Sequence, residues 1–251
     1  MNEGTIQNRI RDGIATIEFY HPRGNSFPTA QLKALEATFR SLGANDEVKI
    51  IVLQSDMQNA FCGGASFEEL LAIETEEQGK EFFSGFARVI NAMRTCPKII
   101  IGRIHGKAVG GGVGLAAACD YCMSTEGAST RLSELALGIG PFVIAPAIRR
   151  KMGVAALSEM SLSPTSWHTA YWAKGKGLFA KVYENKTDLD TEVQLLASKL
   201  ANYSSVALNE MKRVFWEGTD HWDKLLDERA AISGKLVLSE ATKKALQKHR
   251  K

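Results

Sequence analysis

The residues best suited to chemistry form the run His105-Gly106-Lys107-Ala108-Val109-Gly110-Gly111-Gly112-Val113-Gly114-Leu115. Upstream, Lys98-Ile99-Ile100-Ile101-Gly102-Arg103-Ile104 is rich in β-branched residues, and downstream Leu115-Ala116-Ala117-Ala118-Cys119 favours helix. The glycines are therefore expected on a strand-to-helix turn, where the first helical N–H groups lack partners and carry the positive end of the helix dipole. A ligand oxygen bearing negative charge would be stabilised there, and glycine lets it approach the backbone closely. A tight packing turn in an α/β core is the other reading of the same residues. Nucleotide patterns fit poorly: no Gly-x-x-x-x-Gly-Lys-Ser/Thr occurs, and Leu115 takes the last place of a Gly-x-Gly-x-x-Gly counted from Gly110.

A second turn has the same construction. Asn59-Ala60-Phe61-Cys62-Gly63-Gly64-Ala65-Ser66-Phe67-Glu68-Glu69-Leu70 follows the apolar run Lys49-Ile50-Ile51-Val52-Leu53-Gln54, so strand again opens into glycines and then helix. In order and spacing the two segments resemble the crotonase superfamily, the enoyl-CoA hydratase/isomerase fold. Its fingerprints are a Phe-x-Ala/Gly-Gly-Ala-Asp loop and a Gly-Gly-Gly turn. His21-Pro22-Arg23-Gly24-Asn25-Ser26-Phe27, Cys119-Asp120 and Leu132-Ser133-Glu134-Leu135-Ala136-Leu137-Gly138-Ile139 extend the likeness over about residues 8 to 183.

The resemblance implies an α/β fold, a crotonase-like spiral of ββα units with a C-terminal helical trimerisation region. Residues 1–186 would form the acyl-CoA-binding core and 187–251 the oligomerisation helices. It also implies that the N–H groups of Ala65 and Gly111 form an oxyanion hole around a thioester carbonyl. A preorganised donor of that kind contributes on the order of 3 kcal/mol to a transition state. Backbone groups of Cys62, Gly63 and Ala65 would run along coenzyme A, with Arg23 near a phosphate. Gly64, Ser66, Gly110, Gly114, Pro141 and Phe142 complete the expected substrate site.

Hydratases of the family use two glutamates around a shared water. Here the first position is Gly114 and the second is Glu134. One carboxylate suffices to move a proton between carbons 2 and 4 of a 3-enoyl thioester. The favoured reaction is therefore isomerisation of 3-enoyl-CoA to 2-enoyl-CoA, with hydration as the alternative. A non-catalytic acyl-CoA- or RNA-binding relative is a further class. Ser66 stands where the family usually has Asp, and Pro141-Phe142-Val143-Ile144 replaces a glycine-rich stretch, which narrows or reshapes the acyl pocket. Glu68 and Glu69 could supply a second carboxylate, or they could simply serve the dipole of the helix they open. No Gly-x-Ser-x-Gly elbow supports a serine hydrolase, and His105 reads as a structural turn residue.

Around these turns, Ile10 to Phe19 reads as two strands about Asp12-Gly13, followed by a helix entered at Pro28 with Leu32, Leu35, Phe39 and Leu42 on one face and Gly43 as its stop. A long helix is expected from about 75 to 94. Strands alternating with helices argue for a largely parallel sheet with ligands at the strands' carboxyl ends. From Thr187 onward the pattern is helical, and Trp216 and Trp222 are assigned either to an interface between subunits or to intrachain core. The resemblance implies a homotrimer or hexamer.

A net charge of +3 is too small to argue for nucleic acid, and the tail Lys243, Lys244, Lys248, Arg250 and Lys251 reads as a solvated helix face. No apolar run approaches the ~20 residues that span a bilayer, and the first residues do not resemble a signal sequence, so a cytoplasmic protein is expected. Cys119-Asp120-Tyr121-Cys122 has metal-knuckle spacing, but Cys62 and Cys96 form no matching pair, so reduced thiols and no metal are expected. No cofactor is expected beyond the coenzyme A carried by the substrate.

Overall fold

The computed structural model describes residues 4–56 and 60–249. Asn59 of the first glycine loop and Arg250 and Lys251 of the basic tail lie outside them.

Asp12 and Gly13 both take positive φ, 52° and 78°. This two-residue turn folds β1 (Thr5–Arg11) back on β2 (Ile14–Tyr20) as an antiparallel pair. Next to β2 run β3 (Ile50–Ser55), β4 (Ile99–Ile104), β6 (Tyr121–Thr125) and β9 (Lys181–Tyr183), all parallel. The unbroken apolar runs have a simple cause: both faces of this sheet are covered. Ile17, Ile51, Leu53 and Ile100 point into a core shared with α1 (Thr29–Ala44), α3 (Glu76–Thr95), α4 (Gly111–Ala118) and α5 (Ala145–Leu162). Ile50, Val52, Ile99 and Ile101 point the other way, onto Leu189, Val193 and Ala197 of α7 (Lys186–Ala201).

The structure corrects the expected path into the glycine cluster. The chain does not pass from β4 straight to a helix; it first forms β5 (Ala108–Val109), part of a second sheet with β7 (Ser129–Arg131) and β8 (His168–Thr169). The helix then starts at Gly111, earlier than the alanine run suggests, and every residue of α4 is buried. Packing on all sides outweighs the poor helix propensity of glycine. Gly43 is likewise no helix stop, since α1 runs through it to Ala44. A Cβ at Gly43 would meet Cys96 Sγ and Pro97 Cδ at 3.3 Å, so the glycine lets this helix pack closely there.

The long expected helix is α3, opened by a capping box between Thr75 and Gln78. It packs along α9 (Trp222–Leu236). Trp216 and Trp222 are intrachain core: both are buried, their rings meet edge to face 5.7 Å apart, and Trp216 Nε1 donates to Asp120 at 2.8 Å. Lys212 of α8 (Ser205–Phe215) pairs with the other oxygen of Asp120 at 2.6 Å, with both side chains shut off from water. All four cysteines are buried and unbridged. Among the described residues no group of His, Cys, Asp and Glu is arranged to hold a metal, and no helix is long and apolar enough to cross a membrane.

Candidate active site

The two glycine turns meet edge to edge. Cys62 N–H donates to Lys107 O at 3.1 Å and Val109 N–H to Cys62 O at 2.9 Å, which locks the first loop to β5. Phe27 clamps the other side of that loop, its N–H donating to Gly64 O at 2.8 Å and its carbonyl accepting from Ser66 N–H at 2.9 Å. In such a parallel bridge Ala65 turns its own N–H to the opposite edge. Gly111 is the first residue of α4, so its N–H projects beyond the helix start. Among the described residues, no acceptor of the protein takes either N–H.

Glu134 lines the same cavity as Ala65 and Gly111. It opens a short 3-10 turn, Glu134–Leu137, that follows β7. Its Oε2 is sealed from solvent and has no partner. Burial pushes its pKa up to about 7, offset only by its own main-chain N–H. Gly110 lets the carboxylate in: it takes φ 52° and ψ −116°, and a Cβ there would lie 2.7 Å from Glu134 Oε1. Gly138, which ends the turn, is held from below by Thr242 of α10 (Glu240–His249), whose Oγ1 donates to Gly138 O at 3.0 Å.

These groups border a cavity of about 390 Å³. Gly63, Gly64, Ala65, Gly110, Gly111, Glu134, Pro141 and Phe142, all expected at the site, line it. Four others do not. Cys62 is buried in the core with its main-chain N–H and carbonyl engaged by Lys107 and Val109, and burial raises its thiol to about 12. Ser66 caps α2 (Phe67–Leu71) by accepting from Glu69 N–H at 3.3 Å. Arg23 forms an exposed ion pair with Glu68. Gly114 packs against Ile144, whose methyl would lie 2.5 Å from any Cβ placed there. Glu69 is also committed elsewhere, accepting from Thr29 N–H and Oγ1 at 2.8 and 2.6 Å at the start of α1.

Sequence reasoning missed the apolar wall supplied by Phe82, Phe83 and Phe86 of α3, and the polar contributions of Arg131, Thr165 and Ser233. The phenylalanines carry a helical-face signal that marks burial without saying against what. A lone arginine before Glu134 is the one local signal for Arg131.

A family model described as enoyl-CoA hydratase/isomerase matches residues 9–249. The chain belongs to the enoyl-CoA hydratase/isomerase family. Relatives within it carry names of both kinds. A peroxisomal Delta(3,5)-Delta(2,4)-dienoyl-CoA isomerase of Arabidopsis thaliana is 28% identical over 222 residues, 82% of this chain and 78% of the relative. A Bacillus subtilis (strain 168) protein described as a probable enoyl-CoA hydratase is 25% identical over 238 residues, 93% of this chain and 91% of the relative. Among solved structures, an enoyl-CoA hydratase from Bacillus halodurans superposes with a TM-score of 0.89 at 20% identity, covering 97% of this chain and 99% of that one. An enoyl-CoA hydratase/carnithine racemase from Magnetospirillum magneticum gives 0.79 at 27% identity, over 83% and 79% of the two chains. The α/β crotonase fold and membership of this acyl-CoA family are thus established.

Proposed function

We propose that this enzyme isomerises a 3-enoyl-CoA to its conjugated 2-enoyl-CoA with Glu134 as its single proton-transfer group. One observation carries the reading: among the described residues, Glu134 is the sole carboxylate lining the cavity, while Ile144 fills the space beside Gly114. The Glu134 carboxylate takes a proton from carbon 2 of the thioester. The negative charge moves to the thioester oxygen, where the N–H groups of Ala65 and Gly111 stabilise it. The same proton returns at carbon 4, and the double bond shifts into conjugation. Atoms and charge balance with no group beyond the substrate's own coenzyme A. A pKa near 7 suits a residue that must both accept and return a proton near neutrality.

Hydration is the second reading. Ser133 and Thr165, which line the cavity, carry hydroxyls that could hold a water. Purified protein incubated with matched 3-enoyl and 2-enoyl thioesters separates the two. Conjugation at constant mass supports isomerisation; a mass gain of one water overturns it in favour of hydration.

We also propose a homotrimer or hexamer, supported by the exposed apolar side chains Val206, Met211, Val214 and Phe215 on α8. The buried, unbridged cysteines are in keeping with a reducing, cytoplasmic setting.

A further inference from the structure

Arg131 is the last residue of β7, paired with Val109 of β5, and its carbonyl accepts from Gly110 N–H at 2.9 Å. Its backbone is therefore fixed to the turn that carries Gly111. Arg131 lines the same cavity as Glu134. Its guanidinium carbon sits 4.4 Å from the centre of the Trp167 ring, and Lys107 Nζ lies 4.9 Å from the same ring. Nε of Arg131 is closed off from solvent without a hydrogen-bond partner. Among the described residues, no carboxylate pairs with this guanidinium, Glu134 included.

That combination is unusual for an arginine. An arginine that lines a cavity also lined by Phe82, Phe86, Leu137 and Ile139 normally has a carboxylate beside it, because an unpaired charge near apolar surface is costly. Packing over the Trp167 ring leaves the two terminal nitrogens of the guanidinium without a protein partner among the described residues, and such a pair of donors can grip a planar carboxylate. An anion supplied by the substrate would complete the pair.

We propose that Arg131 is a specificity-determining residue that receives a carboxylate at the far end of the acyl group, so that the substrate is the coenzyme A thioester of a dicarboxylic acid. The assignment rests on the proposed function only in placing the thioester carbonyl between Ala65 and Gly111. Coenzyme A would then leave along the Gly63–Ser66 loop, towards Arg23 and Glu68. The acyl group would run past Glu134 to the wall that Arg131 shares with Pro164 and Thr165. Lys107, exposed and also packed on the Trp167 ring, adds a second positive charge at that end.

The test is calorimetric binding of glutaryl-CoA, pentanoyl-CoA and free coenzyme A to the wild type, Arg131→Met and Arg131→Lys. The acyl chains match in length, and both are saturated, so the measurement does not depend on which reaction the enzyme performs. A failure of the isomerase reading would instead be seen in enoyl thioester turnover. The wild type is expected to bind glutaryl-CoA at least about tenfold tighter than pentanoyl-CoA, as a charge-assisted hydrogen-bonded pair warrants. Arg131→Met should abolish that preference and Arg131→Lys should keep part of it. Equal binding of the two thioesters by the wild type overturns the proposal. So does an Arg131→Met variant that weakens free coenzyme A as much as glutaryl-CoA, which would make Arg131 a phosphate contact. If Arg131→Met does not fold, the wild-type preference and the Arg131→Lys variant decide.

Discussion

The backbone of Gly110 lies directly against the carboxylate of Glu134: a methyl group on Gly110 would stand 2.7 Å from Oε1 and 3.3 Å from the carboxyl carbon. The turn that presents Gly111 and the group proposed to move the proton therefore set each other's position. Gly110→Ala should displace the carboxylate and strain a backbone at φ 52°. A misplacement of about 1 Å costs on the order of a hundredfold in rate. We expect kcat/KM on 3-enoyl-CoA to fall by at least that factor while circular dichroism still reports a folded protein. Near-normal turnover would show that Glu134 is not held by this contact.

Glu134→Gln should have opposite effects on activity and stability. Turnover is lost because the amide cannot accept the proton. In the wild type the folded-state pKa is about 7 against an ordinary 4.5, so the folded protein binds the extra proton more tightly than the unfolded chain does. Stability from this group is complete below pH 4.5 and is lost as the pH rises through 7. At pH 8 the glutamine variant should accordingly be more stable than the wild type, by up to about 3 kcal/mol. The difference should vanish below the ordinary carboxylate range. Denaturant unfolding at several pH values checks this, and wild-type turnover should rise through pH 7 as the carboxylate ionises.

Gly114→Glu tests why one carboxylate is absent. With Ile144 in place the new side chain has no room, and overpacking of this kind costs about 1–3 kcal/mol. Adding Ile144→Gly opens the space. The double variant is expected to recover stability and to add water to 2-enoyl-CoA, read as a mass gain. Recovery of stability without hydration would mean that the missing carboxylate does not select the reaction.

The pair between Lys212 and Asp120 anchors α8 to the start of β6, with Trp216 and the N–H of Ile100 completing the hydrogen bonds of the carboxylate. Lys212→Met leaves that buried charge without its cation and should cost about 3–5 kcal/mol. Adding Asp120→Asn should return a substantial part of the loss, measured by chemical denaturation. A single-variant cost under about 1 kcal/mol would place the pair among weak surface bridges.

Much of the fold was legible where one segment settles its own conformation. The Asp12-Gly13 hairpin, the parallel strands at Ile50 and Ile99, the helix after Thr75 and the two glycine turns all appear where local sterics and periodicity put them. The second sheet was not legible, because β5, β7 and β8 are each two or three residues long and exist only through pairing with one another. The start of α4 was obscured for a related reason: its glycines are poor helix formers until burial on every side offsets the cost.

By itself the sequence determined the glycine turns, the largely parallel strands and the presence of a carboxylate at Glu134 with none at Gly114. These follow from residue type, spacing and backbone sterics. Only the tertiary structure decided that Ile144 fills the gap at Gly114, that Trp216 bonds Asp120 and packs on Trp222 inside the chain, and that Arg131 lines the cavity beside Trp167 with no acid paired to it. Each is a contact between residues distant in the chain. Such contacts are fixed by how the packed layers close on one another, a geometry that no local pattern of residues specifies.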